Sequence, residues 1–331
     1  MPKTTTLVIA AALGVVPSSA VAQPSSEALV TEVANVRFYS DFWMNLHHTL
    51  YGAAWAKRPD AGTLRAYAGP LPSALDAPMT AEERAAWDKA VAYYDKHVAD
   101  RDLLFGRGMV ALKTALTNGD LASEKVGNDL ETVLETAAPI YRRYFWPAHD
   151  RANRAWIAAT VDRMKSVGPD TIQRLEKFYG VTWFASPVRA DIVWVGNRQG
   201  AYTTLDPAHA TISSGDPDNR EWTSVEIVFH EFSHALVRQL QASLDQALGT
   251  LARDHRVLWH VVQFYLTGAA VQQALKAKGV DYVPYMYSTG LFERAWSLYR
   301  EVLDANWRPY VEGARSLDEA IAGTVTMLAR R

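Results

Sequence analysis

The amino-acid sequence predicts an α+β protein that is predominantly helical and carries one small sheet. Helical patterns cover most of residues 24–185. Three short segments of strand-like composition follow between residues 191 and 213. Helical patterns resume at about residue 223 and continue to the end of the chain. A small sheet therefore leads into a helical core, behind an N-terminal helical layer.

The helical patterns of the N-terminal layer are separated by Gly, Pro and Asn-Gly signals. Thr80 and Glu83 have the spacing of a capping box ahead of a helix that runs to about Asp100. Residues 58–78 form a connection rich in Pro, Ala and Gly. The later helical patterns of this layer cover 103–117, 129–145, 147–166 and 168–179.

The pattern changes from helical to strand-like at about Pro187. We therefore expect a helical region over 23–186 and a catalytic region over 187–331, after a signal peptide over 1–22. The last two regions could share one core. The predicted strands are Asp191–Val195, Ala201–Leu205 and Ala208–Ser213. The predicted helices that follow them cover 223–243, 250–277, 289–304 and Ser316 to the end.

Composition narrows the class of protein. The chain has 331 residues, of which 49% are hydrophobic and 21% charged, and its formal net charge is -2. This near-neutral balance gives no electrostatic footprint for nucleic acid or for an anionic membrane. The chain has no cysteine, which excludes disulfides, thiolate metal ligands and lipid attachment at a cysteine.

The N-terminus resembles an export signal. Lys3 supplies a positive start, residues 7–16 form an apolar run too short to span a bilayer, and Ala20-Val21-Ala22 offers a cleavage site. We expect the mature chain to begin near Gln23 and to be periplasmic or secreted from a bacterium. The alternative is a buried helix.

The sequence His230-Glu231-Phe232-Ser233-His234 matches H-E-x-x-H. Positions four apart lie on one face of a helix, so both imidazoles can reach a single metal ion. Zn²⁺ lowers the pKa of a bound water to about 7, and Glu231 is placed to accept its proton. We expect His230 and His234 to bind Zn²⁺ and Glu231 to act as general base.

The surroundings of the motif favour a metal over two satisfied core histidines. Thr223 and Glu226 have the spacing of a capping box, and an apolar helix follows them. Two histidines and a glutamate inside so apolar a helix would be costly to bury without a partner. Glu226 shares the face of the histidines, but a capping role would account for it.

The motif and its setting resemble the zincin metallopeptidases, over about residues 190–300. In that family a short mixed sheet precedes the active-site helix, and one edge strand lines the substrate cleft. The resemblance implies that Ala208–Ser213 is this edge strand. Trp259–Gly268, Asn45–His48 and Trp146–His149 are also similar to segments of an uncharacterised family of secreted bacterial proteins.

A catalytic zinc site commonly has three protein ligands. No Gly or His follows His234 as the metzincin extension requires, and the next glutamate after Glu231 is Glu293, too late for an ordinary gluzincin. His260 lies well inside the next apolar helix, where gluzincins place their third ligand, so we expect it to complete the site. Asp254, Glu293 and a buried structural role for His260 stay open as alternatives.

Hydrolysis of an amide builds negative charge on the carbonyl oxygen, and a donor beside the metal stabilises it. Tyr285, directly after a Pro that stiffens its loop, is our first expectation for this donor and Tyr287 the second. Aromatic packing is the alternative for both tyrosines. For His47, His48 and His149 we favour a buried structural role.

The sequence therefore predicts an exported, zinc-dependent hydrolase, most simply a peptidase. Its substrate would be polypeptide, or another amide, bound extended in a groove along Ala208–Ser213. We expect no nucleic-acid partner, and no stable membrane insertion after signal cleavage. Two alternatives stay open: a catalytically inactive zinc-binding scaffold or interaction protein, and a zinc hydrolase of a non-peptide amide or ester.

Overall fold

A computed structural model describes residues 28–59, 78–122 and 126–330. Helices dominate this part of the chain and surround one small mixed sheet, so the predicted α+β, predominantly helical fold is confirmed. Within these ranges, no helix combines the length and the apolar character needed to cross a membrane. The predicted signal peptide over 1–22, and most of the 58–78 connection, lie outside the described residues.

The sheet has five strands in the order β1-β2-β3-β5-β4. Strand β2 pairs parallel with β3, and β3 pairs parallel with β5, while β1 and β4 pair antiparallel at the two edges. The strands are β1 (Leu29–Val33), β2 (Val36–Tyr39), β3 (Val188–Val193), β4 (Ala201–Thr204) and β5 (His209–Ser213).

Strands β1 and β2 were not predicted, because the sequence places them in a region that looks helical. They form a hairpin whose two turn residues, Ala34 and Asn35, both have positive φ, of 54° and 57°. Two positive φ values are the geometry of a type I′ turn. Ala-Asn lacks the Gly that usually marks such a turn, so local sequence gave no signal for it.

The N-terminal helical layer contains α1 (Phe42–Ala56), α2 (Ala81–His97), α3 (Arg107–Thr117) and α4 (Asn128–Tyr144). The capping box predicted at Thr80 is present: Glu83 N donates to Thr80 Oγ1 at 3.2 Å, and Thr80 N donates to Glu83 Oε2 at 2.8 Å. These helices pack around one hydrophobic cluster, which includes Tyr94, Leu116 and Tyr141.

A single long helix, α5 (Trp146–Tyr179), replaces the two helices predicted over 147–166 and 168–179. Pro169 lies inside it and costs about 3 kcal/mol relative to an ordinary residue. The buried face of α5 outweighs this local penalty: Val161, Met164 and Val167 are at most 4% exposed and pack into the second hydrophobic cluster, beneath the sheet.

The C-terminal helices are more broken than predicted. The predicted helix over 223–243 divides into α6 (Glu221–Ser233) and α7 (Arg238–Leu248), and a 3₁₀ turn at Gly249–Arg253 precedes α8 (Leu258–Lys276). Several short turns replace the helix predicted over 289–304. They are α9 (Tyr285–Ser288), α10 (Leu291–Ala295), a 3₁₀ turn (Ser297–Tyr299), α11 (Arg300–Val302), a π turn (Leu303–Trp307) and α12 (Arg308–Val311), followed by α13 (Leu317–Leu328).

Helices cover both faces of the sheet. Along β3, Ala190 and Ile192 pack toward α5, α6 and α8, while Val193 packs toward the N-terminal layer. This alternation is the two-residue period of a strand buried on both sides. The sheet therefore joins the two hydrophobic clusters, and strands from before and after residue 187 contribute to it.

Candidate metal centre

Helix α6 carries the H-E-x-x-H motif, but its start differs from the prediction. The predicted capping box of Thr223 with Glu226 is wrong, because the helix begins two residues earlier, at Glu221. Thr223 instead accepts from Arg220 N at 3.1 Å and donates to Asp218 O at 2.7 Å. Glu226 is fully buried one turn before His230, where it contacts a different part of the chain.

Three histidines meet at the end of α6. One ring nitrogen of each of His230, His234 and His260 lies within 4.8 Å of the others, and His230 Nε2 is 3.3 Å from His260 Nε2. His230 lies in the last turn of α6, His234 caps the C-terminus of this helix, and the first turn of α8 brings in the third. This buried group could hold a metal ion.

Neither alternative third ligand lies in this cluster. Asp254 is exposed at the end of the 3₁₀ turn before α8. Glu293 is exposed and pairs with Arg300. Of the three residues that the sequence offered, His260 is the one that the fold brings to His230 and His234.

The environment keeps these imidazoles neutral, as metal ligation requires. Burial, together with His234 and His260, lowers the pKa of His230 well below its ordinary range. Burial is also the main cause that lowers the pKa of His234 to about 3 and that of His260 to about 4. Gln263 Nε2, one turn along α8 from His260, donates to His230 O at 2.9 Å and ties the two helices together.

Glu231 is buried beside the histidines and is held by the sheet. Its Oε2 accepts a hydrogen bond from Thr203 Oγ1 of β4 at 2.7 Å. Burial raises the pKa of Glu231 to about 7, against the opposing effects of the Thr203 hydrogen bond and the Lys113 charge. A carboxylate whose pKa lies near neutrality is suited to accept and release a proton.

Lys113, on α3, is a component of the site that the sequence analysis missed. It is 3% exposed, and its Nζ donates to His209 O at 2.7 Å and lies 4.4 Å from the centroid of the Tyr202 ring. Burial lowers the pKa of Lys113 to about 7, although nearby carboxylates oppose the shift. The titratable and charged groups that face it are His48, Arg189, Asp191, His209 and Glu231.

We expect the wild type to become more stable as the pH rises from 7 to 10, and the Lys113→Met variant to lack this increase. Because the folded pKa of Lys113 is about 7 and its unfolded pKa is about 10.4, the unfolded chain binds more protons between these values. The free energy of unfolding of the wild type, relative to that of the variant, should therefore rise by up to a few kcal/mol between pH 7 and pH 10. Urea denaturation across this range measures the difference, and a constant difference would contradict the lowered pKa.

A cavity of about 470 Å³ opens onto the three histidines and Glu231. One side is apolar and aromatic, with Phe264, Trp296 and Tyr285. The Tyr285 ring stacks on Phe264 with centroids 6.0 Å apart, and burial raises its pKa, so it keeps its proton at neutral pH. Tyr287, the second candidate, instead stacks on Phe292, with centroids 5.4 Å apart.

The strand beside this cavity is not the one predicted. Ala208–Ser213 was expected to be the edge strand, but β5 lies inside the sheet between β3 and β4. The edge on this side is β4, and its residues Ala201 and Tyr202 line the cavity. Strands β4 and β5 follow one another in the chain and pair antiparallel. Strand β5 also pairs with β3, which leaves β4 at the edge.

The three histidines of the N-terminal layer for which a structural role was expected are buried and each contacts a tyrosine hydroxyl. His47 Nδ1 lies 2.9 Å from Tyr94 Oη, and His149 Nδ1 lies 2.9 Å from Tyr141 Oη. His48 Nε2 lies 3.1 Å from Tyr202 Oη. All three side chains are buried.

No protein family model matches the chain, and neither a curated protein nor a solved structure matches it.

Proposed function

We propose that this chain is a zinc-dependent hydrolase that cleaves amide bonds, most simply in polypeptides, with water as the nucleophile. The observation that supports it is the coincidence of three neutral histidines and a buried glutamate in one cavity. Three imidazoles with an open side are a ligand set typical of catalytic zinc. The resemblance of the motif region to zincins, and the predicted signal peptide, further support an exported peptidase.

In this proposal His230, His234 and His260 hold the zinc ion. When bound, zinc supplies a Lewis acid that polarises the substrate carbonyl and lowers the pKa of water. Glu231 accepts the proton of the attacking water and later delivers it to the leaving nitrogen, while Thr203 fixes the position of its carboxylate. Tyr285 donates its hydroxyl proton in a hydrogen bond to the oxyanion that develops.

The shape of the site favours a long substrate over a small one. A second cavity of about 340 Å³ shares Leu104 and residues 197–199 with the one at the histidines, so the two lie side by side. The edge strand β4 lies along the same opening and could pair with an extended peptide. A non-peptide amide or ester of similar length is the alternative substrate, and a zinc-binding scaffold is the alternative without turnover.

Metal analysis and a peptide-library digest of the purified protein test this proposal together. We expect about one equivalent of zinc per chain, and cleavage of library peptides that stops when a chelator removes it. Zinc below about 0.1 equivalent would contradict the metal centre. Stoichiometric zinc without cleavage of peptides, amides or esters would favour the scaffold.

Removing the metal should also lower thermal stability. Zinc that binds the folded state alone stabilises it by about 2.7 kcal/mol at a free concentration one hundred times Kd. We therefore expect a chelator to lower the Tm by several degrees, and added Zn²⁺ to restore it. Differential scanning calorimetry measures the shift, with Mg²⁺ as the control ion that should restore nothing. An unchanged Tm in the zinc-free protein would be evidence against a site formed in the folded state.

A further inference from the structure

Glu226 is a buried carboxyl that the proposed chemistry does not use. It lies on α6, one turn before His230, and its side chain is fully buried. Its Oε2 accepts two hydrogen bonds, from Tyr282 Oη at 2.6 Å and from Tyr285 N at 3.0 Å. Its Oε1 is buried and has no hydrogen-bond partner among the described residues.

Both hydrogen bonds come from the segment that leads into α9. One carboxylate oxygen therefore anchors this segment at two points, through the Tyr282 side chain and the Tyr285 backbone. A buried polar group that loses its hydrogen bond is left without water to replace it, so both bonds favour this position of the segment. The segment is therefore fixed to the helix that carries the metal-binding motif.

The segment also packs closely against α8. A Cβ placed on Gly268 would lie 2.7 Å from Pro284 Cβ and 3.0 Å from Glu226 Oε1. The contact with Pro284 is shorter than real Cβ atoms make and the one with Glu226 is tight, so any larger residue at this position would push Pro284 away. Helices α6 and α8 thus both contact the segment, and Gly268 makes the close approach possible.

We propose that Glu226 is a positioning residue that holds Tyr285 in the wall of the metal cavity. Tyr285 follows Pro284 directly, stacks on Phe264 and lines the cavity with His230 and Glu231. Fixing its backbone nitrogen limits where its hydroxyl can reach. The catalytic consequence rests on the proposed function, whereas the placement of Tyr285 can be tested without any activity.

Hydrogen exchange tests the placement in the zinc-loaded, full-length protein. We expect Glu226→Ala to raise exchange at the Tyr285 amide by at least tenfold, because loss of about 1.4 kcal/mol corresponds to that factor. Glu226→Gln should stay near the wild type, since both bonds use one oxygen and the Gln carbonyl can supply it. Zinc content should be unchanged in both variants. Equal exchange in the Ala and Gln variants, or no rise in Glu226→Ala, would overturn the proposal.

Gly268→Ala displaces the same segment from the side of α8. It is the second test of the placement if Glu226→Ala fails to fold. It should raise exchange at Tyr285 while the Glu226 carboxyl is still present. Faster exchange across all of α6 instead would mean that the variant loosens the fold rather than the segment, and that would count against a local role.

A double-mutant cycle tests the consequence for catalysis. If Glu226 acts through Tyr285, Glu226→Ala should lower kcat in the wild type by about as much as Tyr285→Phe does, and lower it little further in the Tyr285→Phe background. Independent, multiplicative losses would overturn the coupling. A wild type that hydrolyses nothing would contradict the proposed function, and the exchange experiment would still decide the placement.

Discussion

Replacing Glu231 with Gln should abolish hydrolysis while zinc stays bound. The Gln amide cannot accept a proton from water, and loss of a general base lowers kcat by about 10²–10⁴-fold. The substitution is nearly isosteric, so the carbonyl oxygen of Gln can still accept the hydrogen bond that Thr203 donates. Steady-state kinetics on a library-derived peptide, together with metal analysis, measures both outcomes.

The matched control is Glu221→Gln, in the first turn of the same helix, where the side chain is exposed. It makes the same change on α6 at a residue that does not line the cavity, and we expect kcat and zinc content close to those of the wild type. If Glu231→Gln retained full activity, Glu231 would not be the base. If it lost the zinc as well, the loss of activity would say nothing about proton transfer.

The second large effect is expected for His260→Ala, which should weaken zinc binding by more than about 100-fold. Mutating even an outer partner of a metal ligand lowers affinity by about 10–100-fold, and losing one of three ligands should cost more. His230 in the last turn of α6 and His234 at its C-cap would remain and would hold the ion by two bonds alone. Competition with a chromophoric chelator measures the change in Kd.

His255→Ala is the matched control for this variant. His255 lies five positions earlier, is partly buried and has its Nδ1 3.1 Å from Tyr299 Oη, outside the histidine cluster. Its loss should leave the zinc affinity unchanged. Equal Kd values for the wild type and His260→Ala would show that another residue completes the site.

The sequence was sufficient to predict the parts of the site that are local. The four-residue spacing of His230 and His234 places both on one face of any helix, whatever the rest of the fold. His260 was predicted by elimination and by the resemblance to gluzincins, and the structure places it in the first turn of α8 rather than well inside that helix. Thr203 and Lys113 could not be predicted in this way, because each reaches Glu231 only through the packing of the sheet.

The same distinction applies to the fold. The capped helix at Thr80 and the strands after residue 187 follow from local patterns, and the structure contains them. The uninterrupted α5 and the hairpin of β1 and β2 do not, because burial against distant elements outweighs Pro169 and a weak turn sequence. The same applies to Glu226, whose tyrosine partners lie more than fifty residues along the chain.

The parallel pairing of Val36 with Val188 has a consequence for how the protein can be divided. A fragment beginning at residue 187 would carry all three histidines, yet β3 would present a bare edge where β2 normally lies. It would also lack Lys113 of α3, which donates to His209 O of β5. Such an excised half should self-associate through that edge. The smallest autonomous unit must therefore include the chain from β1 onward, and synthesis must pass β5 before the sheet can close.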